Sequence, residues 1–299
     1  MTNSNDPDTC YEAKTRASAA NALTRGMVLA LTGTFALFGG QIISVEDQRL
    51  YLHCSGPRSE VTVILEAGAN ANSTNYEKVQ TRLAESVHVC SYDRAGLGKS
   101  DKPSGQMTEA RIVENLHQLL MNAHEPGPYL LVGHSLGGIY VRGFETRYPQ
   151  LVKGMVLVDS SHEDQLNRFT AISPELGRQF ATQGGRSTYD DMYRLNGQLH
   201  PGETLTWHVD LPLIVIEHKR PEPGIAAGAA PPGMPNVEPA WHEMQVDLQH
   251  RSSCGQLWEA PKEGHDIPGQ QPDLVVQAIS KVLGEIRNGC DRSGSGSPH

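Results

Sequence analysis

From residue 42 onward, short apolar runs rich in β-branched residues alternate with stretches whose apolar positions recur at helical spacing. Ile42 to Val45 and Arg49 to Cys54 predict two strands, joined by Glu46-Asp47-Gln48 as a hairpin. Val61-Thr62-Val63-Ile64-Leu65-Glu66 has the continuous apolar character of a strand covered on both faces. Tyr76 to Glu85 predicts a helix and Val87 to Tyr92 a strand. Thr108 suits the N-cap of a helix that places Ile112, Val113, Leu116, Leu119 and Leu120 on one face. Leu130 to Val132 predicts a strand, and Leu136 to Tyr148 a helix stopped by Pro149. Met155 to Val158, Leu213 to Ile216 and Gln256 to Glu259 complete the strands, and a last helix runs from Pro272 to Asn288. This alternation predicts the α/β class: a doubly wound, mostly parallel sheet with helices on both faces. Ligands of such sheets bind at the carboxyl ends of the strands.

Two stretches break the alternation. Residues 166–210 separate consecutive strands with polar, weakly helical sequence carrying Phe169, Phe180, Tyr189, Tyr193 and Trp207, which predicts a small helical lid with Phe169 and Phe180 turned to substrate. Residues 219–240 are a Pro/Gly/Ala-rich loop. The expected organisation is an N-terminal extension (1–41), a core (42–165 with 211–288), the lid (166–210) and a disordered tail (289–299). Within the extension, Met27 to Phe38 is apolar. It is shorter than the ~20 residues a helix needs to cross a bilayer core of ~30 Å. Counted on to Ile43 it is interrupted by Gly39, Gly40 and Gln41. Its length suits a signal-peptide core or a membrane tether through residues 27–43. Asp6, Asp8 and Glu12, with no small-x-small cleavage site, lean the balance slightly to the cytoplasm.

Composition narrows the partners. Among 299 residues the formal charge is −9 and no basic run occurs, which argues against nucleic acid. The five cysteines form no C-x-x-C, so zinc-ribbon and thioredoxin readings fail. Cys90 reads as a core residue, and Cys54 with Cys254 could pair only in an exported chain. Gly98-Lys99-Ser100 resembles the end of a phosphate loop, but Asp93 stands where that loop requires glycine. His162-Glu163 and His242-Glu243 lack the second histidine of a zinc helix, being followed by Leu166 and Val246 at that position. No metal or organic cofactor is expected. The sequence leaves the oligomeric state open.

The chemistry concentrates at Gly133-His134-Ser135-Leu136-Gly137, between the strand Tyr129-Leu130-Leu131-Val132 and a helical pattern. That context makes Ser135 a candidate nucleophile on a strained strand-to-helix turn. A serine hydroxyl needs a base, and the base needs a group that fixes its tautomer. Of thirteen histidines, His265 follows the last strand and precedes the last helix, in a loop returning over the carboxyl edge of the sheet. It is the candidate base. His134 is expected to pack beside the nucleophile, and Arg94 to serve as an ion-pair partner near the site.

Val61–Glu66 with Ala67-Gly68, Tyr92-Asp93-Arg94-Ala95-Gly96-Leu97-Gly98-Lys99-Ser100, Gly133–Gly138, Val156-Leu157-Val158-Asp159 and Gly264-His265 occur in the order of the α/β-hydrolase fold superfamily, which residues 42–288 resemble. The resemblance implies serine-hydrolase chemistry and an oxyanion hole from the amides of Leu136 and Ala69. Ala67-Gly68 replaces the commoner His-Gly pair there; a backbone donor tolerates that exchange. Most of the superfamily carries the acid after the strand ending here at Ile216, where Glu217-His218-Lys219-Arg220-Pro221 offers no aspartate. A minority carries it one strand earlier, where Asp159 stands. Asp159 is therefore the first candidate acid and Glu217 the alternative. The leading reading is a carboxylic-ester hydrolase, with an amidase, carbon–carbon hydrolase or lyase as alternatives. The resemblance supplies no substrate; a mostly apolar pocket beneath the 166–210 lid would favour small to medium hydrophobic acyl or alcohol groups. Epoxide and haloalkane hydrolases of the superfamily use an aspartate where Ser135 stands. A non-catalytic ligand-binding protein on the same scaffold is the reading from another class.

Overall fold

The computed structural model describes residues 39–183, 210–219 and 235–290, the last five residues of the first segment by backbone alone. Strands β1 (Gln41–Val45) and β2 (Gln48–Ser55) pair antiparallel through a turn in which Glu46 adopts φ 49°. Six further strands follow: β3 (Thr62–Glu66), β4 (Val89–Asp93), β5 (Tyr129–His134), β6 (Val152–Val158), β7 (Leu213–Glu217) and β8 (Gly255–Glu259). All belong to one sheet in the order β1-β2-β4-β3-β5-β6-β7-β8, parallel from β4 to β8. Because β4 takes one edge of β3 and β5 the other, the winding reverses at β3 and β5. A crevice opens beyond the carboxyl ends of strands at such a reversal.

The apolar pattern of the strands is what the two layers demand. Side chains of successive strand residues point to opposite faces. Val63, Leu65, Leu130, Val132, Val156, Val158, Ile214 and Ile216 face α1 (Glu77–Leu83) and the helix Pro272–Asn288, meeting Val79, Leu83, Val275 and Ile279. Ile64, Leu131, Met155, Leu157, Leu213 and Val215 face α2 (Glu109–Asn122) and α3 (Gly137–Arg147), meeting Ile112, Leu116, Val141 and Phe144. Each such side chain removed from water stabilises the fold by roughly 1.5–3 kcal/mol before entropy is counted. Thr108 caps α2 as expected, its hydroxyl accepting from the Arg111 N–H at 3.2 Å.

The stretch 166–210 yields α4 (Gln165–Ile172) and α5 (Pro174–Gln183) before leaving the described residues. Phe169 is buried against Leu176, Trp241 and Met244, while the side chain of Phe180 and all of Tyr189, Tyr193 and Trp207 lie outside the description. The loop expected over 219–240 is cut short by α6 (Glu238–His250). Pro239 occupies the first turn, where its missing N–H costs nothing, and Trp241, Met244 and Leu248 follow at helical spacing. A short turn α7 (Ile267–Gln270) leads into α8 (Pro272–Asn288). No helix among the described residues is long and apolar enough to cross a membrane. Of the expected N-terminal extension only residues 39–41 are described, Gln41 already in β1, and of the expected tail only Gly289 and Cys290; the rest of both lies outside the described residues.

The cysteines correct the sequence reading. Cys90 is not a free core thiol: it is joined to Cys54, its direct partner in the β2–β4 ladder, with Cα atoms 4.0 Å apart. Cys254, ahead of β8, is joined to Cys290, just beyond α8. The sequence misled because cross-strand adjacency depends on a register set by distant residues. Each bridge closes a separation of 36 residues. On the chain-entropy view a loop of that length is worth about 4 kcal/mol. Thiol titration of the denatured, unreduced protein should find no more than one free cysteine of five. Cys254→Ser should lower the unfolding free energy by about 2–4 kcal/mol in denaturant titration.

Candidate active site

Ser135 follows the last residue of β5 and stands two residues before α3. Its φ of 52° lies in the left-handed region, uncommon for a non-glycine residue. The conformation is held from three directions. The Ser135 N–H donates to Val158 O at 3.0 Å, and Ser135 O accepts from the N–H of Gly138 at 3.0 Å and of Ser161 at 2.9 Å. The glycines of the motif have a packing reason. A Cβ on Gly133 would sit 2.7 Å from Gly138 Cα, and one on Gly137 would sit 2.5 Å from Glu66 O and 2.7 Å from Ala67 O. The turn after β3 is thus pressed directly onto the elbow, and a Cβ on Gly68 would come within 3.1 Å of Ser135 Cβ.

Asp159 directly follows β6 and also has positive φ, 43°, with its N–H donating to Ile216 O at 2.6 Å. Its carboxylate is fully buried. The His265 Nδ1–H donates to Asp159 Oδ2 at 2.6 Å. His265 is half exposed, and its ring lies 4.9 Å from that of His134, the residue preceding Ser135. His134 donates from Nε2 to the carbonyl of His265 at 2.8 Å, tying the histidine loop to the end of β5. Burial, then the neighbouring His265, holds the His134 pKa down at about 4, so this imidazole is neutral at pH 7. It packs beside the elbow, as its position in the motif suggested. The alternative acid Glu217 accepts instead from His242 Nδ1 at 2.7 Å.

Two residues, Trp241 and His218, were not weighed in the sequence as partners of Asp159. Trp241 Nε1–H donates to Asp159 Oδ1 at 2.8 Å. His218 Nδ1 lies 2.9 Å from both carboxylate oxygens, and its backbone N–H donates to Oδ1 at 3.2 Å. His218 Nε2 lies 2.8 Å from Glu238 Oε2. Burial alone would lower the His218 pKa, but the bonds to Asp159 and Glu238 outweigh it and hold the pKa up at about 10. Burial would likewise raise the Asp159 pKa; the bonds from His218 and His265 prevail and keep it well below the usual carboxylate range. Asp159 is therefore a carboxylate and His218 an imidazolium across the neutral range. The sequence signal was the aspartate-free loop after Ile216, which holds a histidine at position 218.

Two buried arginines brace the elbow. Arg94 pairs with Glu66 and donates to the carbonyls of Ala67 and Gly68, at 2.5 Å each, with its guanidinium 5.3 Å from the Tyr140 ring centre. The Gly68 carbonyl and the Ala69 N–H share one planar trans peptide and point opposite ways, so this bond turns the Ala69 N–H away from Arg94. Arg142 donates to Gly138 O at 2.9 Å and Ser161 O at 2.7 Å and pairs with Glu163. Leu136, at the start of α3, is fully buried. Neither the Ala69 nor the Leu136 N–H has a hydrogen-bond acceptor among the described residues. The described residues close to one another include one metal-ligand-like set, Cys54, His88, Cys90 and Glu125, but two of its members are bonded to each other as a disulfide.

Comparisons with known proteins agree with this architecture. Residues 61–189 match the family model of the alpha/beta hydrolase fold. Over 230 residues the chain is 26% identical to the uncharacterized protein YqjL of Bacillus subtilis, covering 75% of this chain and 84% of that protein. It spans 42%, 28% and 20% of three other curated relatives, which are far longer. Among solved structures it resembles a thermophilic esterase from Thermogutta terrifontis, with TM-score 0.56 and 18% identity over 83% of this chain and 99% of the esterase. It resembles the epoxide hydrolase CorEH equally, with TM-score 0.56 and 16% identity over the same shares. At such identities the likeness is one of fold.

The packing of the elbow generates a stability test. Gly137→Ala forces a methyl group onto the carbonyls of Glu66, the last residue of β3, and Ala67, the second of which is held by Arg94. It should destabilise the protein by about 1–3 kcal/mol or more in urea titration, as overpacking of a rigid site does. Unchanged stability would mean that the β3 turn is not pinned against α3.

Proposed function

We propose that this chain, a member of the α/β-hydrolase fold superfamily, is a serine hydrolase of carboxylic esters working through Ser135, His265 and Asp159. The observation that carries the reading is the 2.6 Å bond from His265 Nδ1 to the buried Asp159, in a loop tied to the strand that delivers Ser135. With Nδ1 committed to Asp159, the proton acceptor is His265 Nε2. It takes the Ser135 hydroxyl proton as Oγ attacks the acyl carbon, and the Asp159 charge stabilises the imidazolium that forms. The Ala69 and Leu136 amides, lacking acceptors within the described chain, are the donors for the developing oxyanion. Collapse of the tetrahedral adduct expels the alcohol, which takes the proton back from His265. Water then repeats the sequence on the acyl-enzyme and restores the serine.

α4 and α5, the described start of the expected lid, are proposed to cover the site and select the acyl chain. The buried Phe169 would act there by supporting α4 and α5 against Trp241 rather than by facing substrate. A small-molecule hydrophobic ester, with small to medium acyl or alcohol groups, is the proposed substrate. The two disulfides support folding in an oxidising compartment, against the slight lean to the cytoplasm drawn from the N-terminal sequence.

A panel of p-nitrophenyl esters from acetate to palmitate, with an anilide of matched chain length, tests the reading. Ser135→Ala should lower kcat by about 10⁴-fold or more, because nucleophile and base act as one unit. A fluorophosphonate probe should label the parent and not the variant. Retained turnover in Ser135→Ala, or faster anilide than ester cleavage, would sink the esterase reading.

The same panel separates the two candidate acids. Asp159→Asn should lose at least about 10³-fold in kcat, scaled from the ~10⁴-fold loss that the amide analogue of a triad acid causes. Glu217→Gln should lose less than about 10-fold on the same scale, since its partner is His242. Melting temperatures of both variants distinguish a folding defect from a catalytic one. The reverse order of losses would assign the acid to β7.

A further inference from the structure

We propose that His218 is a positioning residue for the acid of this site: an imidazolium that grips both oxygens of Asp159 and is itself backed by Glu238, so that the pair sets how Asp159 serves His265. The inference rests on the assignment of Ser135, His265 and Asp159 above. Asp159 has four lone-pair sites and no access to water. Trp241 Nε1 and the His218 backbone N–H already supply neutral donors to Oδ1, and His265 supplies one to Oδ2. These would satisfy a buried carboxylate. Adding a charged donor between the two oxygens does something further.

A cation at 2.9 Å disfavours protonation of Asp159, so the carboxylate stays ionised wherever the enzyme works. It also opposes the second positive charge that forms on His265 when that residue takes the serine proton. Glu238, 2.8 Å from the far nitrogen of His218, offsets that opposition. The unit Glu238–His218–Asp159 therefore carries a net charge of −1, as a lone aspartate would, with the carboxylate locked against rotation. Among the described residues, the titratable and charged groups facing His218 are Asp159 at the end of β6, Glu238 in the first turn of α6 and, through Asp159, His265. Of its chain neighbours, Glu217 is engaged with His242, and Lys219 donates its backbone N–H to Lys262 O at 3.4 Å.

The experiment compares His218→Ala, His218→Asn and Glu238→Gln. An asparagine amide nitrogen stands about where a histidine Nδ1 stands, so it keeps the donor and removes the charge. His218→Ala should lower kcat by about 10- to 100-fold, the range seen when a supporting hydrogen-bond partner is removed from a functional ligand. His218→Asn should recover most of that loss, yet move the acid limb of kcat/KM to higher pH by roughly one unit, because the opposing charge is gone. Glu238→Gln should move the limb the other way. A purely structural histidine would lower the melting temperature and leave the limb in place in all three variants, and that result overturns the proposal. The ¹⁵N-imidazole titration of His265, followed by NMR in the Ser135→Ala background, reads the same coupling without turnover. Its midpoint should move up in His218→Asn and down in Glu238→Gln. Movement there without ester cleavage by the parent would leave the coupling standing and reject the esterase reading; a midpoint that does not move rejects the coupling itself.

Discussion

Three of the described segments above the carboxyl edge of the sheet are tied to one buried carboxylate. Asp159 sits at the end of β6 with its N–H on Ile216 O, so β7 fixes its backbone. Its side chain receives the histidine loop after β8 through His265, α6 through Trp241, and the loop after β7 through His218. A carboxylate removed from water is costly unless it is paired and hydrogen-bonded, and breaking such a pair from one side leaves an uncompensated charge. The consequence is geometric. Three segments far apart in sequence converge on two oxygen atoms, and none can shift without exposing the charge to an apolar surround.

That convergence separates what the sequence disclosed from what it withheld. The strands were legible because the two-face alternation is local: Leu130 and Val132 go to one layer, Leu131 to the other. The elbow was legible for the same reason, since Gly133, Ser135 and Gly137 lie in one turn whose crowding involves only β3 and α3. His265 and Asp159 could be placed by their rank along the strand order. His218 and Trp241 could not, because their meeting depends on α6 docking after a Pro/Gly/Ala-rich stretch that breaks the pattern. The Cys54–Cys90 bridge was hidden by the same logic. It requires the antiparallel register of β2 against β4, and a sequence separation of 36 says nothing of register.

The charge arrangement follows from the burial. Asp159 is anionic, His218 cationic and His134 neutral, although the two histidines differ only in what they face. His134 meets a carbonyl and another imidazole, so burial prevails and it stays uncharged. His218 meets two carboxylates, and the bonds to them prevail over burial. A single residue type thus serves as neutral packing on one side of His265 and as fixed charge on the other. In the proposed site, where His265 as base must gain and lose a proton, neutrality next to it avoids repulsion. The charge is kept one residue further away, behind Asp159.

The two arginines extend this reasoning from side chains to the backbone. An elbow at φ 52° is strained and persists only if its surroundings leave it no alternative. Arg94 holds the carbonyls of Ala67 and Gly68 on the β3 side, and Arg142 holds those of Gly138 and Ser161 on the α3 and β6 side. Lysine could not replace either, because each guanidinium serves several acceptors at once through a rigid fork, whereas an ammonium is a point donor on a flexible stem. Each arginine is paired, with Glu66 and Glu163 respectively, so its burial does not leave a bare charge. Fixing carbonyls also fixes the amides bonded to them, since both belong to one planar unit. The direction of the Ala69 N–H is thereby decided by a side chain on the far side of β3, before any substrate arrives.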